Sequence, residues 1–145
     1  MKEIIDKVIS NPLILPMWFS ILCGIIIGVE REMKGKDAGV KTTIFICAGS
    51  ALFAYLGNNL NGSFDKSRVL SQIVSGIGFI GGGVIIFNDD KVRGLTSAAI
   101  MWMTAGIGAM CGLGMFYEAI MCSITIIGVE VFFDKLKQFI RGRND

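Results

Sequence analysis

A chain of 145 residues that is 52% hydrophobic and only 18% charged carries an apolar excess beyond that of soluble domains, where about a quarter of residues are charged. The net charge of +2 is too small to argue for nucleic acid as a partner, and the basic residues fall in short connectors instead of along one face. Histidine is absent, which removes the commonest general base and metal ligand; with no nucleophile and base in view, no enzymatic chemistry, metal site or cofactor is expected.

In chain order, Ser10 or Asn11 is positioned to cap a first helix that has Pro12 in its first turn, and Leu13 to Val29 holds no charge. At ~1.5 Å per residue that stretch approaches the ~30 Å hydrocarbon core of a bilayer. Its leader is mixed in charge and no small-x-small cleavage site follows, so it is read as a retained span and not as a signal peptide. Further spans are predicted at about 42–60, 69–87, 95–112 and 116–133. The fold expected is an all-α polytopic membrane protein of about five transmembrane helices over residues 1–134, with a short basic cytoplasmic tail at 135–145. Leu113-Gly114-Met115 is predicted to make a tight hairpin between the last two spans. Phe132, Phe133, Leu136, Phe139 and Ile140 share a helical face, so the tail is expected to lie along the inner interface. Cys23, Cys47, Cys111 and Cys122 sit in apolar segments without C-x-x-C spacing and are expected to be free thiols.

The connectors set the orientation. One side of the membrane carries Lys2, Lys7, Lys66 and Arg68; the other carries the remaining ten Lys and Arg residues. Basic residues accumulate on the cytoplasmic side, which puts the N-terminus outside and the C-terminus inside.

Two features stand out within this frame. In Ser75 to Val84, Gly76, Gly78 and Gly81 satisfy G-x-G-x-x-G, but the strand, helix and later acidic residue that a dinucleotide site needs are not evident. Close helix packing in lipid is the reading preferred, and Gly24, Gly28, Gly76, Gly78, Gly81, Gly82 and Gly83 are the packing glycines it implies, with Gly108/Gly112 a further pair four apart. The second feature is the connector after Val29, dense in ionisable groups. It is either a solvated loop or a polar nest at the inner mouth of the bundle, in which Glu30 or Glu32 pairs with Arg31, Lys41 or Arg93. Lys34, Lys36 and Asp37 are expected to be solvated. Glu118 and Glu130 lie towards the ends of the fifth span and not at the midplane that a cation or proton relay favours.

Three stretches together resemble the MgtC/SapB family of bacterial membrane proteins. They are Gly28-Val29-Glu30-Arg31-Glu32 with Gly35 to Thr42, then Ser75 to Ile85, then Val92-Arg93-Gly94-Leu95-Thr96-Ser97-Ala98-Ala99 with Trp102. In order and spacing they are similar to the family's G-L-E-R-E, A-G-L-R-T, S-G-I-G-F-L-G-A-G and V-R-G-L-T-T-A-A-x-x-W signatures. The resemblance implies an inner-membrane domain of five helices with its N-terminus outside. It also implies a link to growth in low magnesium or inside host cells (virulence) and, in some members, restraint of the proton-translocating ATP synthase. Val40-Lys41 stands where the family usually has Leu-Arg, and Gly82 and Ser97 replace the usual Ala and Thr. Many members continue into a cytoplasmic ACT-like domain; this chain is expected to correspond to the membrane unit alone.

The function expected is thus a non-enzymatic inner-membrane factor of magnesium homeostasis that works by helix contact with itself, a dimer being favoured, or with another membrane protein. The alternative is a small transporter or channel for a cation such as magnesium or another solute. The candidate polar surface is Glu30, Arg31, Glu32, Lys41, Thr42, Arg93 and Thr96 at the cytoplasmic side. The partners expected are the lipid bilayer and other membrane helices, not nucleic acid.

Overall fold

The computed structural model describes residues 10–60, 65–88 and 91–142. Five helices carry most of them: α1 (Ile14–Met33), α2 (Val40–Asn59), α3 (Lys66–Val84), α4 (Leu95–Gly112) and α5 (Phe116–Arg141). A two-stranded hairpin, β1 (Ile86–Asn88) and β2 (Lys91–Arg93), joins α3 to α4 with Phe87 opposite Val92. The protein is an all-α polytopic membrane protein: among the described residues α1, α2, α4 and α5 are each long and apolar enough to cross a bilayer.

Local chemistry fixes the helix ends. Asn11 accepts a hydrogen bond from the Leu13 amide through its side chain, at 3.0 Å, just ahead of α1. The other end of α1 closes on Gly35 at φ 60, where Gly35 N–H donates to Glu32 and Lys36 N–H donates to Arg31, both at 3.0 Å. This pair of bonds is the Schellman pattern, which satisfies terminal carbonyls and needs a residue tolerant of positive φ. The same pattern recurs at Gly114, φ 82, where α4 turns back into α5 through the short hairpin expected at Leu113-Gly114-Met115. Asp65 caps α3 by accepting from Ser67 N–H at 2.9 Å.

The third helix departs from the expected 69–87 span. It starts and ends three residues earlier, and Ile85-Ile86-Phe87 leave it for the hairpin. Three consecutive glycines, Gly81 to Gly83, weaken the helix there, and the β-branched and aromatic residues that follow favour extended backbone. Gly94 then sits at φ 85 so close to α3 that a Cβ would lie 2.1 Å from the Val84 carbonyl oxygen. The last span continues into the tail as one helix: α5 runs unbroken for 26 residues, with Phe132, Phe133, Leu136, Phe139 and Ile140 exposed.

The core lies between α1, α2, α4 and α5. Cys23 and Ile27, Cys47 and Ala51, Ile107 and Cys111, and Ala119 and Ile126 meet in one apolar cluster. Cys23, Cys47 and Cys111 are buried free thiols, and Cys122 is half-buried and free. Helix α3 stands to one side, packed mainly on α4, where Gly81 faces Ala98, and more loosely on α2, from which a cavity of about 400 Å³ lined by Ser50, Phe53, Gln72, Ile73 and Ile77 separates it.

Candidate functional site

The charged residues near one end of the bundle assemble into a zipper between α1 and α5. Glu130 and Asp134 are one helical turn apart, as are Glu30 and Lys34, so each helix shows a charged pair to the other. Arg31 Nη1 lies 3.7 Å from Glu130 Oε2, and Arg31 Nη2 donates to Ser97 Oγ on α4 at 2.5 Å. Lys34 contacts Asp134 and Glu30. Arg31 is only 1% exposed, and Glu130 18%. A guanidinium so enclosed is tolerated because a carboxylate at 3.7 Å balances its charge and a hydroxyl takes up one of its donors, although Nε makes no hydrogen bond.

Among the expected site residues, the structure therefore brings Glu30 and Arg31 to this zipper but gives Arg31 a partner on α5 instead of in its own connector. Glu32 does something else: its Oε2 accepts from the Val40 amide at 2.8 Å, placing a carboxylate at the N-terminus of α2 where the helix dipole favours it. A Cβ on the intervening Gly39 would lie 2.7 Å from that oxygen. Lys41, Arg93 and Thr96 are exposed and Thr42 is half-buried. Its neighbour Thr43 points inwards, 1% exposed, with its hydroxyl 2.8 Å from the Gly24 carbonyl oxygen of α1. Lys34, expected in solvent, bridges two helices; Lys36 and Asp37 are exposed.

Lys34 makes a testable pH signature. The Asp134 carboxylate, and after it Glu30, raises the Lys34 pKa by favouring the ammonium. A raised folded-state value means that the contribution is fully present below the unfolded lysine pKa of ~10.4 and lost as pH climbs through the folded value. Thermal denaturation in detergent between pH 7 and 12 should give Lys34→Met a smaller alkaline loss of Tm than the parent. Identical alkaline slopes would refute the contact.

The glycines divide into two groups. A Cβ on Gly24 would lie 2.7 Å from the Ile44 Cα, one on Gly28 2.5 Å from the Val40 Cα, one on Gly108 2.1 Å from the Cys47 carbonyl oxygen, and one on Gly112 2.3 Å from the Ala51 carbonyl oxygen. Helix α2 is thus clasped by the glycine faces of α1 and α4 with backbone against backbone, the contact that small residues permit in a bilayer. On α3, by contrast, a Cβ at Gly76, Gly78, Gly82 or Gly83 would meet nothing within 4 Å, and at Gly81 only ordinary contact with Ala98. Within a single chain the run that dominates the sequence is mostly uncovered.

Sequence reasoning missed Ser97, Lys34, Glu130 and Asp134 as members of one cluster. The available signal was an i, i+4 pair of acids at the end of the fifth helix facing an Arg and a Lys three apart at the end of the first. Among the described residues no group of three or more His, Cys, Asp or Glu side chains is placed to hold a metal ion.

Comparison with known proteins gives a consistent picture. The profile of the MgtC family matches residues 17–139. The chain is 37% identical to Protein MgtC of Salmonella typhimurium over 135 residues, covering 93% of this chain and 58% of that protein. It is 36% identical to Protein MgtC of Brucella abortus over 121 residues, 83% of this chain and 51% of the relative, and 35% identical to an uncharacterized protein of Synechocystis over 130 residues, 90% and 56%. The chain therefore spans somewhat more than half the length of these relatives. No solved structure gives a significant match.

Proposed function

Because the chain belongs to the MgtC family, we propose that it is a non-enzymatic factor of the bacterial inner membrane, N-terminus outside, that acts by helix contact with itself or with another membrane complex and serves growth under magnesium limitation or inside host cells. The observation that carries this reading is the contrast between the faces of the bundle. Glu30, Arg31, Lys34, Glu130 and Asp134 spend their charges on one another and the α1, α2 and α4 backbones are locked together, while α3 turns glycine, serine and glutamine outwards among Val74, Phe79 and Ile80, unlike a surface made for acyl chains alone. Transport of a cation draws on the same inner-end charges, and their mutual pairing favours contact over passage.

The test is extraction of the tagged protein from native membranes in lipid discs, followed by mass determination of the intact contents. A second copy or another membrane protein in the same disc is expected. Discs holding one chain alone, together with substrate-dependent flux in proteoliposomes, would overturn the reading.

A further inference from the structure

We propose that the outward face of α3 is the seam along which two copies of this chain pair in the bilayer, side by side about a two-fold axis normal to the membrane; the proposal rests on the contact reading above and names its partner.

The exposed surface of helix α3 is mixed, with polar side chains set among Val74, Phe79 and Ile80 where a helix bathed in lipid would be apolar throughout. The inward side holds Ile77, 6% exposed, and Gly81, packed on Ala98 of α4. At 3.6 residues per turn the opposite side collects Arg68, Ser71, Ser75 and Gly82, all exposed, together with Phe79, while Gln72, also exposed, stands at the edge of this face on the rim of the cavity towards α2. Among the described residues it is the one long helix too polar to qualify as a membrane span by itself, although it stands beside four that do. Acyl chains offer an amide or hydroxyl no hydrogen bond, so a face of this composition at membrane depth is stabilised by another polar surface.

The face suits its own copy. About a two-fold axis parallel to the helices, each residue near the axis meets its counterpart, so every element must be able to pair with itself. The Gln72 amide and the Ser75 hydroxyl both donate and accept, while the Ser71 hydroxyl, which donates to the Arg68 carbonyl at 2.8 Å, can still accept. Gly82, with open space beyond it, lets the backbones approach towards the inner end. At the outer end Asp65 and Arg68, both exposed and three residues apart, would lie to either side of the axis and not on it, so that the Asp65 of each copy faces the Arg68 of the other. The hydrogen bond from Ser67 holds the Asp65 carboxyl below its usual pKa range, so the acid is ionised at neutral pH. Charge, hydrogen bonding and close approach thus agree along one stripe.

The test uses the full chain in native membranes, in a Cys122→Ser background, since the other three cysteines are buried. Gln72→Cys, Ser75→Cys and, as a control on the lipid-facing side of α5, Ile124→Cys are each oxidised with copper phenanthroline. Crosslinked dimers are expected at positions 72 and 75, at least ten times the yield at 124. Combining Ser75→Cys with Gly82→Leu should abolish the crosslink; within the single chain a Cβ at Gly82 meets nothing within 4 Å, and unchanged membrane accumulation of the variant checks that it folds. Equal yields at 72, 75 and 124, a crosslink to a protein of different mass, or indifference to Gly82→Leu would each overturn the proposal. Co-isolation of two differently tagged copies without crosslinks at 72 or 75 would overturn this seam and leave the contact reading standing.

Discussion

Gly108→Ala is expected to destabilise the bundle strongly, whereas Gly106→Ala two residues away on the same helix should be neutral or mildly stabilising. The added methyl at position 108 would sit 2.1 Å from the Cys47 carbonyl oxygen and 2.9 Å from its Cα. Those are main-chain atoms of α2, so relief requires moving one helix from another rather than turning a side chain. Overpacking of a well-packed interior ordinarily costs ~1–3 kcal/mol, and a backbone obstacle puts Gly108 at or above the top of that range. At Gly106 a Cβ meets nothing within 4 Å, and replacing glycine within a helix returns up to ~1 kcal/mol of propensity. Reversible unfolding in mixed micelles, titrated with a denaturing detergent, separates the two. Equal effects would mean that α2 and α4 are not in backbone contact.

Arg31→Met should be the most damaging of the charge substitutions. It removes the cation facing Glu130 and the donor to Ser97, leaving a carboxylate that is 18% exposed with no counter-charge at 3.7 Å. Breaking one side of a buried pair typically costs ~3–5 kcal/mol, mostly the penalty of the stranded charge. The separation lies beyond hydrogen-bond range, so the lower end of that interval applies. Adding Glu130→Leu to Arg31→Met should therefore recover much of the stability, because the stranded charge is gone. Arg31→Lys should recover little, since an ammonium cannot face Glu130 and Ser97 with a planar fork. A double-mutant cycle in the same unfolding assay measures the coupling. A value near zero would show that α1 and α5 are held together by apolar packing alone.

The fold was legible because bilayer thickness imposes a length and an apolar composition that composition along the chain displays directly. Helix ends were legible where they depend on local chemistry, as at Asn11 and at the Leu113-Gly114-Met115 turn. The end of α3 was not, because an apolar run such as Ile85-Ile86-Phe87 reads equally as span or strand until the left-handed Gly94 and its closeness to Val84 are known. Pairing was the least legible layer. Arg31 and Glu130 are 99 positions apart in sequence, and no local pattern states which of several carboxylates a buried guanidinium will reach. Likewise Thr43, and not Thr42, turns inwards to the Gly24 carbonyl, a distinction that depends on the register of two helices. The glycines show the same limit. Spacing alone makes Gly78/Gly82 and Gly108/Gly112 equivalent, yet the second pair is filled by α2 of the same chain and the first faces outwards.

That difference can be read out in a cell. In a strain lacking this protein and grown in magnesium-poor medium, the parent chain should restore growth, and Gly82→Leu should not, although it accumulates in the membrane at the parental level and unfolds at the parental denaturant concentration. Full restoration by Gly82→Leu would contradict the claim that the open face of α3 is where the protein acts.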